Sequence, residues 1–460
     1  MALTEVLNPT ILREYDIRGI VDETLSADDT FNIGRAYGSE LIEKGGLAVV
    51  VGYDGRISSP RLKKALVKGL VSSGVKVIQI GMGPTPMLNF AAHLLKADGG
   101  LMVTGSHNPP NYNGIKMTMF GRAFFGKEIR ALGERCNSEK FVVGKGNTFE
   151  QNILEKYVDR ILRDFSGSRE LKIAWDPGNG ASGIIVDKVI ERLPGTHFLI
   201  NGTVDGNFPA HHPDPTVEDN LKQLKELVLE KKCEIGIAFD GDGDRLGVVD
   251  GLGRVIWGDQ LLVILARPVL KELPGSTIIA DVKASQVFID EIKRLGGIPI
   301  LWKTGHSHIK TKMAELSSPI AGEMSAHLFF KHKYYGFDDG VYAAIRLLSI
   351  LASGKQTLES IFNELPKMFN TPEIRIDCTE DQKFLVIKEV KKRLKSEACI
   401  QVNEVDGVRV SSKDGWWLLR ASNTQPALVA RCEAETEESL ARLKRKLAAV
   451  LRDTGVSIKL

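Results

Sequence analysis

Cysteine is scarce and unpatterned in this sequence. The five that occur, Cys136, Cys233, Cys378, Cys399 and Cys432, are scattered, odd in number and never spaced C-x-x-C. That argues against a disulfide framework and a zinc site, and free thiols in a reducing compartment are the expectation. Long apolar runs are missing too. No stretch is long enough to span a bilayer, and MALTEVLNPTILREYDIRG is acidic and contains proline where a signal peptide needs a basic start and an apolar centre. The expected location is therefore cytoplasmic, with no membrane partner. Charge of one sign is not in excess: 61 basic residues face 58 acidic ones, dispersed along 460 residues for a net charge of +3. Without a basic stripe or arm the chain does not read as a nucleic-acid binder, and any basic site must be local. No low-complexity segment offers a long linker. What is present, 43% hydrophobic and 26% charged residues, is ordinary for a globular protein of three or four domains.

Three stretches share one grammar, an apolar run ending in a polar or glycine-containing turn: LAVVVGYDGRI at 47–57, LKIAWDPGNGA at 171–181 and TIIADVKASQ at 277–286. They read as first strands of three related α/β units. Each is followed by a helix-like segment and another strand closing on glycine, as in RLKKALVKGLVSSGVKVIQIGMG, an order that predicts a parallel sheet. There Leu62, Ala65, Leu66 and Leu70 recur at helical spacing. Breaks near 145–152, at VDGLGRV near 250–255 and at LPKMFNTPE near 365–373 divide the chain into 1–151, 152–254, 255–367 and 368–460. The last part departs from the pattern. Strand-like EIRIDC, helix-like DQKFLVIKEVKKRLKSE, strand-like GVRVSSKDGWWLLRAS and ALVARCEAE, and amphipathic EESLARLKRKLAAVL predict a smaller α+β domain with an antiparallel sheet.

TGSHNPPNYNGIK, residues 104–116, places Ser106 where a buried strand opens into a rigid loop before Pro109 and Pro110. Open α/β sheets bind ligands at such strand ends. No G-x-S-x-G elbow surrounds this serine, and in an extended chain His107 points away from it, so no local base is expected. Read alone, such a loop is more often a structural turn than a site.

In IGIAFDGDGDRLGVVDG, Asp240, Asp242 and Asp244 fall at i, i+2 and i+4. Alternate side chains of an extended backbone share a face, so three carboxylates converge. Anions that close repel unless a cation neutralises them, and hard oxygen ligands with little room suit Mg²⁺. An EF-hand would need Gly where Arg245 stands and Glu where Gly251 stands. A haloacid-dehalogenase nucleophile motif usually opens its domain and continues to Thr or Val, whereas Asp244 follows here.

LLRASNTQP offers Arg420, Ser422, Asn423 and Thr424 in a loop closed by Pro426, a donor-rich set suited to a phosphate dianion or, alternatively, a plain polar hairpin. AGEMSAH supplies Glu323 and Ser325, both able to bond sugar hydroxyls, and His327 as a proton donor or acceptor. WKTGHSHIK adds Lys303, His306, His308 and Lys310, DVKAS adds Lys283, and REYDIRG adds Tyr15, Asp16 and Arg18, the last able to hold a phosphate. His93, His197 and His308 read as structural or surface histidines.

Together these segments resemble the α-D-phosphohexomutases, most closely the bacterial phosphomannomutase/phosphoglucomutase branch. The resemblance runs in the family's order from YDIRG through TGSHNPPNYNGIK, GNFPAHHPDP, DGDGDR, KTGHS and GEMSAH to RASNTQP, nearly the whole length. It implies four domains around a central cleft: three α/β domains of shared topology with mixed sheets, and a C-terminal α+β domain that closes over a small hexose phosphate. It implies that Ser106 carries a phosphoryl group, with Mg²⁺ held by Asp240, Asp242, Asp244 and one oxygen on phospho-Ser106, and Arg245 helping to hold the phosphoserine. The phosphate would pass to a mannose or glucose phosphate, giving a hexose 1,6-bisphosphate, also the activator, that turns round before returning its other phosphate. Arg420, Ser422, Asn423 and Thr424 would grip the phosphate that is not reacting, while Glu323 and Ser325 read sugar hydroxyls. Tyr15, Arg18, Lys283 and His306 match the family's other substrate contacts, and Lys116, His107 and His327 are its candidate acids and bases.

One residue departs from that pattern: Ala326 stands where the family usually has Gly, and a positive φ there would shift the sugar loop. Met324 resembles the mannose/glucose branch, against Glu in the glucose-only branch and Gln in the glucosamine branch. The alternatives are a phosphoglucosamine mutase and a non-catalytic phosphosugar binder, the latter expected to have lost Ser106 or an aspartate.

Overall fold

The three apolar runs form strands Ala48–Tyr53, Leu171–Asp176 and Thr277–Asp281. The computed structural model describes residues 7–395, 397–423 and 426–456. In the first unit the sheet order is Lys76–Met82, Ala48–Tyr53, Gly99–Val103 and Tyr112–Met119. The second repeats it with Gly195–Leu199, Leu171–Asp176, Ile235–Phe239 and Leu246–Asp250, and the third with Ile298–Trp302, Thr277–Asp281, Ile320–Gly322 and Leu328–Phe330. In every unit the first three strands are mutually parallel and the fourth is antiparallel. The parallel sheet read from the strand-helix-strand order is thus a mixed one, as the family resemblance implies. Only a short loop joins the third strand to the fourth, and a short connection can only turn the chain back on itself.

The turn at 251–254, read from sequence as a break, is a hairpin: Val255–Ile256 pairs antiparallel with Val248 and Val249. The second sheet therefore runs past it, because the glycines there serve a turn within a unit and not a linker between units.

Helix Ala27–Glu43 starts at a capping box in which Ser26 and Asp29 satisfy each other's backbone N–H groups. Its Ile33 and Leu41 join Leu66, Leu70, Val49, Val51, Leu101 and Val103 in the first core. Strand alternation sends Val50, Ile78 and Met102 to the other face, where with Met87 and Phe90 they meet Tyr157 and Ile161 in an apolar mass continuous with the second and third units. The three α/β units are thereby held on one packed body. Among the described residues no helix is long and apolar enough to cross a membrane.

The last unit is an antiparallel sheet built on Val408–Ser412, Gly415–Ala421 and Ala427–Ala434. Helices Glu380–Leu394 and Glu437–Arg452, N-capped by Thr379 and Thr436, supply Val390, Leu443 and Leu447 to a core with Trp417 and Leu419. The alternate residues Trp416 and Leu418 face the other way and pack on Val282 of the third unit. Arg420 follows in the same alternation, which is why the strand delivers it toward the third unit.

Candidate active site

The functional loops are topologically equivalent. Residues 104–111, 240–245 and 323–327 each join the third strand of a unit to its fourth. Repetition of one unit thus brings Ser106, a carboxylate cluster and the segment bearing Glu323, Ser325 and His327 to a common place.

Strand Gly99–Val103 is buried throughout, and the chain past it turns sharply, with Ser106 at φ +50° and 2% exposed. A left-handed non-glycine residue costs about 1–2 kcal/mol, so its surroundings must hold it. Arg56 does so. Its guanidinium, 1% exposed, donates to the carbonyls of Ser106 (2.8 Å), Asn108 (2.6 Å), Pro109 (2.5 Å) and Tyr112 (3.0 Å). Asp54 accepts from Thr104 Oγ1, Gly105 N and Arg56 Nε, locking the loop from behind. The turn also corrects the expectation for His107. Because Ser106 is left-handed, neighbouring side chains do not alternate, and His107 Nδ1 lies 3.2 Å from Ser106 Oγ. Burial, with Arg245 and Arg18 adding to it, pushes His107 well below the usual histidine range and keeps it neutral.

Asp240, Asp242 and Asp244 are fully buried, with ligand oxygens within 4.8 Å of one another. Gly241 lets this loop approach the serine loop: a Cβ there would sit 2.5 Å from Ser106 O. Ser106 Oγ donates to Asp240 Oδ2 at 3.0 Å, and Thr85 Oγ1 to Asp242 Oδ2 at 2.5 Å. Lys116 Nζ bridges Asp242 Oδ2 (2.7 Å) and Asp244 Oδ2 (2.5 Å). Burial pushes Asp240 well above the carboxylate range, reinforced by Asp244 and Asp242. Burial opposes ionisation of Asp244 as well, but Lys116 and His327 outweigh it and hold it low. Asp242 Oδ1 is buried with no hydrogen-bond partner among the described residues, and with the Asp240 and Asp244 carboxylates beside it the three hard oxygen donors fit a divalent cation. Arg245 lies beside them, its Nε 3.8 Å from Asp240 and its Nη1 3.5 Å from Asp214.

Glu323 Oε1 accepts from Gly305 N at 2.6 Å, and its Oε2 lies 3.3 Å from His327 Nδ1, whose Nε2 is 3.2 Å from Asp244. Burial disfavours the charged imidazole, yet Asp244 and Glu323 push His327 up to about 9. Ser325 Oγ sits 3.3 Å from His327 Nδ1. Ala326 does take a positive φ, +71°, and its carbonyl accepts from Leu246 N at 3.0 Å. His306 stands edge-on to Tyr15 and is kept neutral by burial and by Lys310.

Tyr15 OH donates to Thr304 O at 2.7 Å and accepts from Asn423 Nδ2, so first, third and fourth units meet across the cleft. Arg18 binds Asn108 Oδ1 at 2.6 Å and pairs with Asp16. Lys283 is buried on Glu373, 3.1 Å away. Arg420 rests on Asp406 at 2.9 Å, and Ser422 O accepts from Lys383 at 2.7 Å. Thr424 lies outside the described residues. Sequence reasoning missed Arg56, Asp214, Lys383 and Asp406. Arg56 had a local signal in the strand-end DGR turn and Asp214 lies within GNFPAHHPDP, whereas Lys383 and Asp406 act through contacts distant in sequence.

A cleft walled by three copies of one α/β unit and an α+β cap, with serine, carboxylate and phosphate-type loops converging on it, is the architecture of a phosphosugar-handling enzyme. The chain belongs to the phosphoglucomutase/phosphomannomutase family. Residues 9–142, 155–253 and 257–369 match that family's alpha/beta/alpha domains I, II and III, and residues 373–450 match its C-terminal domain. The chain is 45% identical over 444 residues to a phosphomannomutase/phosphoglucomutase of Pseudomonas aeruginosa, covering 96% of each. It is 41% identical to a phosphoglucomutase of Neisseria gonorrhoeae, again over 96% of each. A phosphoglucomutase/phosphomannomutase family protein of Burkholderia thailandensis superposes with a TM-score of 0.93 at 41% identity, covering 98% of both chains.

Proposed function

We propose that this phosphohexomutase interconverts the 1- and 6-phosphates of mannose and glucose through phospho-Ser106 and a hexose 1,6-bisphosphate. The single observation that carries this reading is Ser106 Oγ hydrogen-bonded to Asp240 within the buried carboxylate cluster. Mg²⁺ held by Asp240, Asp242 and Asp244 would neutralise charge on the transferring phosphoryl group. The chain's own residues do the rest. Arg56 and Asp54 fix the serine loop, and Arg245 lies where it can hold the phosphoserine. The phosphoryl group leaves Ser106 Oγ for a substrate hydroxyl, and the proton that hydroxyl releases ends, by way of a base, on the Ser106 oxygen left behind. His107, neutral and 3.2 Å from Ser106 Oγ, serves the serine end of the transfer. Lys116 and His327 hold protons beside the carboxylates. Glu323 and Ser325 read sugar hydroxyls, Tyr15, Arg18, Lys283 and His306 line the substrate's path, and Arg420, Ser422, Asn423 and Thr424 grip the distant phosphate. The intact serine and aspartates favour a catalyst over a decayed binder. We assign the four units to 1–151, 152–256, 257–367 and 368–460, the second boundary following the hairpin at Val255–Ile256.

The test is an isomerisation assay with mannose, glucose and glucosamine phosphates, with hexose 1,6-bisphosphate present. Turnover of the first two supports the reading, and no interconversion of any overturns it.

A further inference from the structure

Asp406 precedes strand Val408–Ser412 and takes two donors on one oxygen: Arg420 Nε at 2.9 Å and the Thr304 backbone N–H at 3.1 Å. Arg420 belongs to the fourth unit and Thr304 to the third, so one carboxylate oxygen bridges them. The bridge is built into the backbone. Gly407, at φ +76°, lies so close to strand Gly415–Ala421 that a Cβ on it would be 2.6 Å from Arg420 Cα. Any other residue would push Asp406 off the guanidinium. Arg420 is 4% exposed, and its Nη2 has no hydrogen-bond partner among the described residues. The next residue along from Thr304, Gly305, donates its N–H to Glu323.

We propose that Asp406 is the positioning residue of the phosphate clamp. It anchors the Nε side of Arg420, leaves the Nη groups for the substrate's non-reacting phosphate, and ties the clamp to the loop that orients Glu323. The proposal deepens the functional reading above and rests on it. An arginine reaching for a phosphate must give up rotamer freedom, and a carboxylate on Nε removes that freedom before the ligand arrives. Bidentate geometry on the Nη groups is then available without reorganisation.

The experiment compares Asp406→Ala and Asp406→Asn, each in the wild-type and Arg420→Ala backgrounds, using glucose 1-phosphate and mannose 1-phosphate. Asp406→Ala is expected to lower kcat/KM about tenfold for both sugars, chiefly through KM, as loss of a charged hydrogen bond should. Asp406→Asn keeps an acceptor oxygen and should lose no more than about threefold. In the Arg420→Ala background Asp406→Ala should add less than about twofold, because its effect runs through Arg420. Fully additive losses, or no loss, overturn the proposal. Calorimetric titration with inorganic phosphate reads the same step without turnover, and an affinity unchanged in both variants also overturns it. If Asp406→Ala does not fold, Asp406→Glu takes its place, expected to misplace Arg420 and weaken phosphate binding. If wild-type protein interconverts no hexose phosphate, the functional reading falls, while the phosphate titration still decides the role of Asp406.

Discussion

Ser106 Oγ lies 3.0 Å from Asp240 Oδ2 although 134 residues separate them in the chain. The contact joins the equivalent loops of two repeated units and sets the proposed phosphoryl carrier against the candidate cation site. Purified protein is therefore expected to carry phosphate on Ser106 in a fraction of molecules, the active ones. Mass spectrometry of tryptic peptides checks it, and Ser106→Ala should lower turnover by about a thousandfold or more. Phosphate found only elsewhere would exclude the carrier role.

The three aspartates should behave as one cation site. Replacing any of them with Ala is expected to cost about a hundredfold or more in kcat/KM while shifting the melting temperature by only a few degrees. Chelator should abolish activity and Mg²⁺ restore it. Full activity in excess chelator would refute the assignment.

Specificity should extend to both mannose and glucose phosphates, with glucosamine phosphate poorer. Met324, whose Sδ contacts Arg431, carries no group that selects at C2, and the proposed hydroxyl readers Glu323 and Ser325 need not touch C2. A glucosamine preference above about tenfold, or ~1.4 kcal/mol in transition-state binding, would reverse this reading.

Arg420→Ala should lower kcat/KM by about thirtyfold, the equivalent of ~2 kcal/mol, with glucose and mannose affected alike. Energy from the distant phosphate orients the reacting hydroxyl, so catalysis falls with affinity. Small-angle scattering should show wild type compacting with substrate and the variant staying open. A change in sugar preference with closure intact would make the loop a sugar reader.

Asp339 gives a pH prediction apart from the site. Its carboxylate N-caps helix Gly340–Ser353 and accepts from Tyr157 (2.9 Å) and Tyr334 (2.7 Å). Burial outweighs these donors and pushes it up to about 7. The folded chain therefore holds this proton where the unfolded chain has lost it, so the stability it contributes is present in acid and lost as pH rises from about 4 toward 7. Asp339→Asn removes that slope. Between pH 4.5 and 7.5 the wild-type melting temperature should fall relative to the variant by roughly 5 °C, and a constant difference would contradict the assignment.

Local sequence determined the elements and the chemistry they carry. Apolar runs ending in polar turns marked the first strand of each α/β unit, and the aspartates at alternate positions marked the candidate cation site, because side-chain periodicity and charge repulsion are properties of a few neighbouring residues. The antiparallel fourth strands were not legible from the residues alone, since strand direction depends on what a loop connects. His107 was misjudged for a related reason: the left-handed turn at Ser106 is imposed by Arg56, fifty residues earlier, through hydrogen bonds to four carbonyls. Asp214 beside Arg245 and Lys383 beneath Ser422 are likewise set by tertiary folding within a unit, and Asp406 between Arg420 and Thr304 by packing between units. Sequence names the groups a site can use; only the tertiary fold decides which lone charges meet, because burial and distance, and not spacing along the chain, set their energies.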